Sequence, residues 1–577
     1  MRRRVPHDGA YSFSHCMPAM TRLLTKLVER ADRCGDRIAV HRYLNGKWEP
    51  RTWRRFADDV ARTADRLRRD GIASQDRVVL ISANRYEWLV LDLAILSLGA
   101  VHVPLHAALS GSQARYQIEH CGASAVIVEN VPLLERLAAA YGRLPSHTSW
   151  YLLATAEDGP RASAPADVDL LDIDATSDRP APSLDQILVT CDPSDPATIL
   201  YTSGTTGEPK GVILTHGNLW SNAVTTAEAF GLELNGLRLN VLPLSHVFAR
   251  VCDLYMWLVQ GCELAVARRR ETVLEDLRML RPSWFNAVPY WFGKFHEVLQ
   301  GQGRADEPGA LRELLGGRVE YCCSGGAPLP EHLFDYYQQQ GVPILQGYGL
   351  TETSPVVSIS RPGHVRRGAS GRPLRDVQVR LADDGELLVR GPNVMAGYYR
   401  DEEATSRAIR DGWFYTGDLA RIDADGYLYI TGRKKELIVT AGGKNIAPAW
   451  LESILTQDPV ILQAMVVGDR RKFLAALVVL DRDAAQQRWH EINLPWDDWP
   501  RCVGDERLVA AVESLVAKRL ADVAAHEQVR RVMLLEEPFS IERGELTAKL
   551  SLRREVIESR YRARIEALYE ASTRGTR

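Results

Sequence analysis

The chain has 577 residues, with 74 acidic against 71 basic side chains and a formal net charge of −3. That length is too great for one ordinary core and predicts two or more domains; the near balance of charge excludes a protein that grips nucleic acid through a basic face. Nine scattered cysteines, odd in number and without C-x-x-C pairs, argue against a disulfide scaffold or zinc site and for a reducing compartment.

Residues 1–18 show no periodicity and are expected to be a disordered leader or an over-long start, with Met17 or Met20 as other beginnings. No signal-type hydrophobic segment follows Met1-Arg-Arg-Arg-Val-Pro-His, and no apolar run approaches the roughly 18–20 residues of a membrane span, so a cytoplasmic location is expected. Trp53, Phe56, Val60, Ala64 and Leu67 fall at helical spacing, and Arg77–Ser82 reads as a buried strand. Glu87–Leu98 reads as a helix, Val101–Leu105 as extended, Ser124–Glu129 as a strand, and the segment around Leu133 to Tyr141 as a helix. Helices alternating with apolar strands predict an α/β fold built on a mainly parallel sheet covered on both faces.

Ala154–Pro182, rich in Ala, Asp, Ser and Pro, reads as a surface excursion. The strand-like run Ala197–Tyr201 leads into Tyr201-Thr-Ser-Gly-Thr-Thr-Gly-Glu-Pro-Lys-Gly211. Three glycines and the hydroxyls of Thr202, Ser203, Thr205 and Thr206 can turn backbone N–H groups toward an anion, with Lys210 as a point charge. On the residues alone this is a polyphosphate grip or a flexible surface loop. It is not a Walker loop, because Pro209 precedes the lysine and Gly211 follows it.

Beyond it, Leu239–His246, Glu263–Ala267 and Val319–Gly326 each read as a strand leaving onto a loop, and in such a sheet ligands collect beyond the carboxyl ends of the strands. Gln346-Gly-Tyr-Gly-Leu-Thr-Glu-Thr353 sets an aromatic face between two glycines, with a hydroxyl and a carboxylate close behind. That carboxylate, Glu352, suits Mg²⁺ shared with phosphate oxygens and water, or is an incidental acid in a turn. After Gly432 the elements shrink: a Gly-rich loop at Ala441–Asn445, a helix near Trp450–Leu455 and strands Ala464–Gly468 and Leu474–Leu480. An amphipathic helix then carries Leu508, Val512, Leu515, Val516, Leu520 and Val523.

The undecapeptide resembles the signature of the adenylate-forming (AMP-binding) superfamily, the acyl-CoA synthetases, luciferases and peptide-synthetase adenylation domains. The resemblance implies a phosphate grip formed by Thr202, Ser203, Gly204, Thr205, Thr206, Gly207 and Lys210. Gly347-Tyr-Gly349 with Thr351 and Glu352 is similar to another family element, which implies adenine stacking by Tyr348, α-phosphate contact by Thr351 and Mg²⁺ coordination by Glu352. Ser324-Gly-Gly-Ala-Pro-Leu329 resembles the adenine loop, with Gly325, Gly326 and Ala327. Tyr415-Thr-Gly-Asp418 followed by Gly432-Arg433 resembles the ribose segment, with Asp418 and Arg433 in those roles.

Leu242-Pro-Leu-Ser-His-Val-Phe-Ala-Arg250 resembles the long-chain branch, where the histidine, here His246, borders the acyl and carboxylate site. Some bacterial members carry a tryptophan gate four residues after it; Arg250 stands there instead. The resemblance implies a large domain over 19–432 and a small mobile α+β domain over 433–577, hinged at Lys435. In the end motif Gly544-Glu-Leu-Thr-Ala-Lys-Leu-Ser-Leu-Arg-Arg554, an ungapped match puts Ser551 at the lysine position, and one residue of slack restores Lys549.

The function these motifs imply is an ATP- and Mg²⁺-dependent fatty acid:CoA ligase of long-chain type, with coenzyme A as co-substrate. The alternatives are a fatty acyl-AMP ligase delivering to a carrier protein, a catalytically silent lipid-binding homologue, and a P-loop ATPase or kinase, against which Pro209 counts. Peripheral contact with the inner membrane face suits a fatty-acid substrate, although no basic amphipathic helix demands it.

Overall fold

The computed structural model describes residues 22–154, 165, 167–174, 182–202, 208–231, 235–442, 444–492, 494–540, 543–546 and 552–574. The expected leader, Ser203–Gly207 of the phosphate loop, and the end-motif positions Lys549 and Ser551 lie outside the described residues.

Two large mixed sheets carry most of the chain. The eight-stranded sheet has at its centre the parallel strands Pro196–Thr202, Val101–Leu105, Arg77–Ile81, Ala125–Val128 and Ser149–Ala154. The nine-stranded sheet has Ile344–Gly349, Tyr321–Ser324, Trp284–Ala287, Leu237–Asn240 and Glu263–Val266 side by side and parallel. These short apolar strands are buried on both faces, which is why they read as continuous hydrophobic runs.

The layer between the sheets is helical. Tyr86–Ser97 has all twelve residues buried, as expected of a helix that is apolar around its circumference. It packs with Trp53–Arg69 in one core that takes side chains from both sheets, such as Val78 and Leu80 from one and Val40 and Leu264 from the other. Trp53 and Trp257 stack in this core with ring centroids 4.5 Å apart.

Three features depart from the sequence reading. The supposed surface excursion contains a strand, Asp169–Asp172, which pairs in parallel with Ser149–Ala154 as the edge of its sheet; with four residues and a Pro-rich surround it has too little pattern to see. A third sheet, five-stranded and wholly antiparallel, is built from Gln378–Leu381, Glu386–Arg390, Ile409–Arg410, Trp413–Ile422 and Leu428–Arg433. The chain then forms the smaller unit, where Ile461–Val467, Leu474–Leu480 and Val529–Leu535 make a three-stranded sheet. Its amphipathic helix runs Glu506–Arg519, so Leu520 is the cap and Val523 lies past it, though both still pack on the same core. Among the described residues no helix is long and apolar enough to cross a membrane.

Candidate active site

Strands of the two large sheets and the antiparallel sheet deliver their polar ends into one cleft of about 2440 Å³, which the turn Lys434–Glu436 and the start of the last helix also border. The strands on either side of the expected phosphate loop pair as a hairpin, Tyr201 with Gly211 and Thr202 with Lys210. Gly211 leaves little room for a side chain, since a Cβ there would lie 2.8 Å from Ile199 Cγ2.

Lys210 Nζ stands 3.3 Å from the Asp401 carboxylate and 5.2 Å from the centre of the Tyr398 ring. The Tyr398 hydroxyl donates to Glu352 Oε1 at 3.0 Å. Lysine and acid are therefore held on opposite parts of one tyrosine, with Asp401 as the counter-charge of the lysine. Asp401 and Tyr398 were invisible to spacing, because they lie in a different segment, Gly397–Asp401, which docks through the pairing of Tyr398 with Val212. Among the described residues no cluster of three or more His, Cys, Asp or Glu side chains could hold a metal. A single oriented carboxylate fits Mg²⁺, which keeps waters and takes substrate phosphate oxygens as ligands.

The cluster of Tyr348, Asp418 and Arg433 is set by strand register. Asp418 and Arg433 are direct partners across two antiparallel strands, and Arg433 Nε reaches Asp418 Oδ1 at 3.0 Å. The Tyr348 hydroxyl donates to the other oxygen, Oδ2, at 2.6 Å. Burial raises the Asp418 pKa and the Arg433 charge opposes that rise; burial, and then the Asp418 charge, push the Tyr348 phenol well up. The tyrosine thus stays a neutral donor whose ring direction is fixed by an acid.

Around it the backbone is tight. A Cβ on Gly349 would fall 1.7 Å from the Pro355 carbonyl oxygen, and one on Gly325 would sit 3.1 Å from the Phe248 ring. Gly326 adopts φ +80°. Gly347 and Thr351 border the cleft, Thr351 from a tight turn spanning Thr351–Thr353. Ala327 follows the adenine-loop glycines but is not among the cleft-lining residues.

His246 caps the short helix Val247–Ala249 and lines the cleft. Its Nε2 lies 2.7 Å from Nε2 of His106, a residue sequence reasoning passed over because it directly follows the strand Val101–Leu105, far away in the chain. Lys435 also faces the cleft, from the turn Lys434–Glu436 that leaves the antiparallel sheet.

Arg250, at the place of the tryptophan gate, is fully buried and absent from the cleft wall. It sits in a π-helical stretch, Arg250–Tyr255, and its guanidinium lies 2.6 Å from Asp92 and donates at 2.6 Å to the Thr198 hydroxyl. Asp92 also takes His102 Nδ1 at 2.6 Å and the Tyr255 hydroxyl at 2.9 Å. Burial, and after it the Arg250 charge, hold the His102 imidazole down to about 4. This knot ties the strand that feeds the phosphate loop to the strand that carries His106 and to the helix behind His246.

Residues 27–399 match the family described as AMP-binding enzyme, and residues 435–573 the one described as AMP-binding enzyme C-terminal domain. A protein of Mycobacterium bovis named long-chain-fatty-acid–CoA ligase FadD15 is 36% identical, over 92% of this chain and 94% of its own. The solved structure of the anthranilate CoA ligase AuaEII with anthranoyl-AMP superposes at a TM-score of 0.74 and 20% identity, covering 96% of this chain and 99% of that one. ATP-bound MatB from Rhodopseudomonas palustris gives 0.72 at 23% identity, covering 94% and 99%.

Proposed function

From the premise that the chain belongs to the AMP-binding enzyme family of adenylate-forming ligases, we propose that it joins a fatty acid, of long-chain type, to coenzyme A at the expense of ATP, releasing AMP and pyrophosphate. The observation that carries the reading is the convergence in one cleft of Lys210, Glu352, Tyr348 and Arg433, with Asp418 behind them bonded to both Tyr348 and Arg433. The similarity to a named long-chain ligase over nearly the whole chain supplies the substrate class.

The chemistry follows from a poor leaving group. A thiol cannot expel oxide from a carboxylate, so the carboxylate oxygen first attacks the α-phosphorus of ATP, and the bond to the β-phosphate breaks. Tyr348 supports the adenine, and Asp418 with Arg433 holds the ribose diol. Lys210 leaves Asp401 for the departing phosphates, where its charge counts for more than in water. Glu352 would hold Mg²⁺, which when bound would supply charge neutralisation on the phosphates. Thr351 meets the α-phosphate, His246 borders the carboxylate, and Lys549 spans the attacking and equatorial oxygens. In the second step sulfur bonds to the acyl carbon and the bond to AMP breaks.

Between the two steps the small domain, 433–577, turns about Lys435 against the large domain, 19–432. That turn withdraws Lys549 and brings the Ala441–Asn445 loop to the site. The proposal includes a cytoplasmic enzyme with peripheral contact at the inner membrane face, which cell fractionation tests. The enzymatic test is pyrophosphate release across a fatty-acid series with and without CoA. Thioester and AMP that require CoA support the reading; ADP as the nucleotide product, or acyl-AMP that CoA does not consume, overturns it.

A further inference from the structure

Lys210 and Glu352 stand in distant parts of the chain, one at the start of the strand Lys210–Thr215 and the other in the turn Thr351–Thr353. A third segment, Met395–Asp401, holds both. Its backbone ties to each: Met395 N donates to the Glu352 carbonyl at 2.8 Å, Tyr399 N donates to the Gly211 carbonyl at 2.7 Å, and Tyr398 pairs with Val212. Tyr398 N is itself anchored, donating to Thr405 Oγ1 at 2.8 Å.

The side chain of Tyr398 repeats the tie. Its hydroxyl meets Glu352 Oε1 and its ring meets Lys210 Nζ, and all three side chains line the cleft. A phenol is protonated at neutral pH, so Glu352 Oε1 has a standing donor. The lysine is drawn to the same ring by cation–π attraction. An aromatic ring turns about only two side-chain bonds; with its backbone fixed, it is a rigid spacer between a cation and a carboxylate.

We propose that Tyr398 is a positioning residue for the adenylation step: its single ring sets the spacing of Lys210 and Glu352, so that the lysine and a Mg²⁺ on the carboxylate meet one triphosphate together. The proposal rests on the ligase reading above. Carboxylates that bind metals are themselves held by hydrogen bonds, and those partners tune the metal. With Oε1 occupied by the phenol, Oε2 is the oxygen left to take the cation. The plain alternative is that Tyr398 only packs against the core, as its ring does. Phenylalanine separates the two, because it keeps the ring, its packing and its attraction for Lys210 and removes the hydroxyl alone.

The test compares Tyr398→Phe and Tyr398→Leu with the native chain. Mn²⁺ and ATP are first titrated onto each protein without fatty acid, and bound Mn²⁺ is read by electron paramagnetic resonance. The Phe variant is expected to hold Mn²⁺ with ATP about tenfold more weakly, the loss that follows removal of a metal ligand's hydrogen-bond partner, yet to bind ATP in EDTA as the native chain does. The Leu variant, which also lacks the ring beside Lys210, is expected to lose affinity in both conditions. In turnover, pyrophosphate release by the Phe variant should need severalfold more Mg²⁺, while KM for the fatty acid and thioester formation from supplied acyl-AMP stay put. Unchanged Mn²⁺ binding and Mg²⁺ requirement in the Phe variant, or equal loss of both half-reactions, overturn the proposal and leave the ligase reading intact. No pyrophosphate from the native chain with any acid removes the ligase reading, and the proposal falls with it.

Discussion

Replacing Arg250 with methionine tests the knot beneath the active site. The side chain is fully buried, and its removal strips Asp92 of its only cationic partner that is certain to be charged, given that burial favours neutral His102. Breaking one side of a buried pair costs about 3–5 kcal/mol; because Asp92 keeps hydrogen bonds from His102 and Tyr255, the expected loss is near the lower end, about 3 kcal/mol. Urea unfolding followed by tryptophan fluorescence reads it, since Trp88 lies 5.9 Å from the guanidinium. Adding Asp92→Asn is expected to cost far less in the Arg250→Met background than in the native chain, with a coupling of about 2 kcal/mol. Loss of less than 1 kcal/mol, or strict additivity, would refute the claim that this pair braces the strand feeding the phosphate loop.

Lys549→Ala is expected to abolish acyl-AMP formation from acid and ATP yet spare thioester formation from supplied acyl-AMP; equal loss of both half-reactions removes Lys549 from its role. Asp418→Asn weakens two charge-assisted contacts, so the KM for ATP should rise by roughly 10- to 100-fold while the KM for CoA stays put, as initial rates would show. Buried His102 and His216 both have pKa values lowered to about 4 by burial. The unfolded chain therefore takes up protons on them from about pH 6.5 down and the folded chain does not until near pH 4, so stability falls as pH drops through that window. Unfolding free energies measured from pH 7 to 4 should decline, and His216→Asn should flatten the decline; an unchanged slope contradicts it.

Much of the architecture could be read from the residues because central strands buried on both faces leave uninterrupted apolar runs, as in Arg77–Ile81 and Leu474–Leu480. Short strands such as Asp169–Asp172 and Gln378–Leu381 carry too few residues per period to stand out. At the site, motif-bearing residues were legible, and their partners were not. Asp401 and Tyr398 for Lys210 and Glu352, His106 for His246, and Asp92 for Arg250 all lie 46 or more residues away from the groups they meet. Only the register of the sheets and the packing of the helix layer bring them together, and no local pattern encodes that. Likewise Arg238, Trp284 and Tyr321 become a row only when three strands align.

The most direct measurement follows the phosphorus atoms. With ATP labelled at the α- and γ-positions, a fatty acid and CoA, the account predicts label in AMP and in pyrophosphate in equal amounts, matched by thioester. Label in ADP and inorganic phosphate would contradict it.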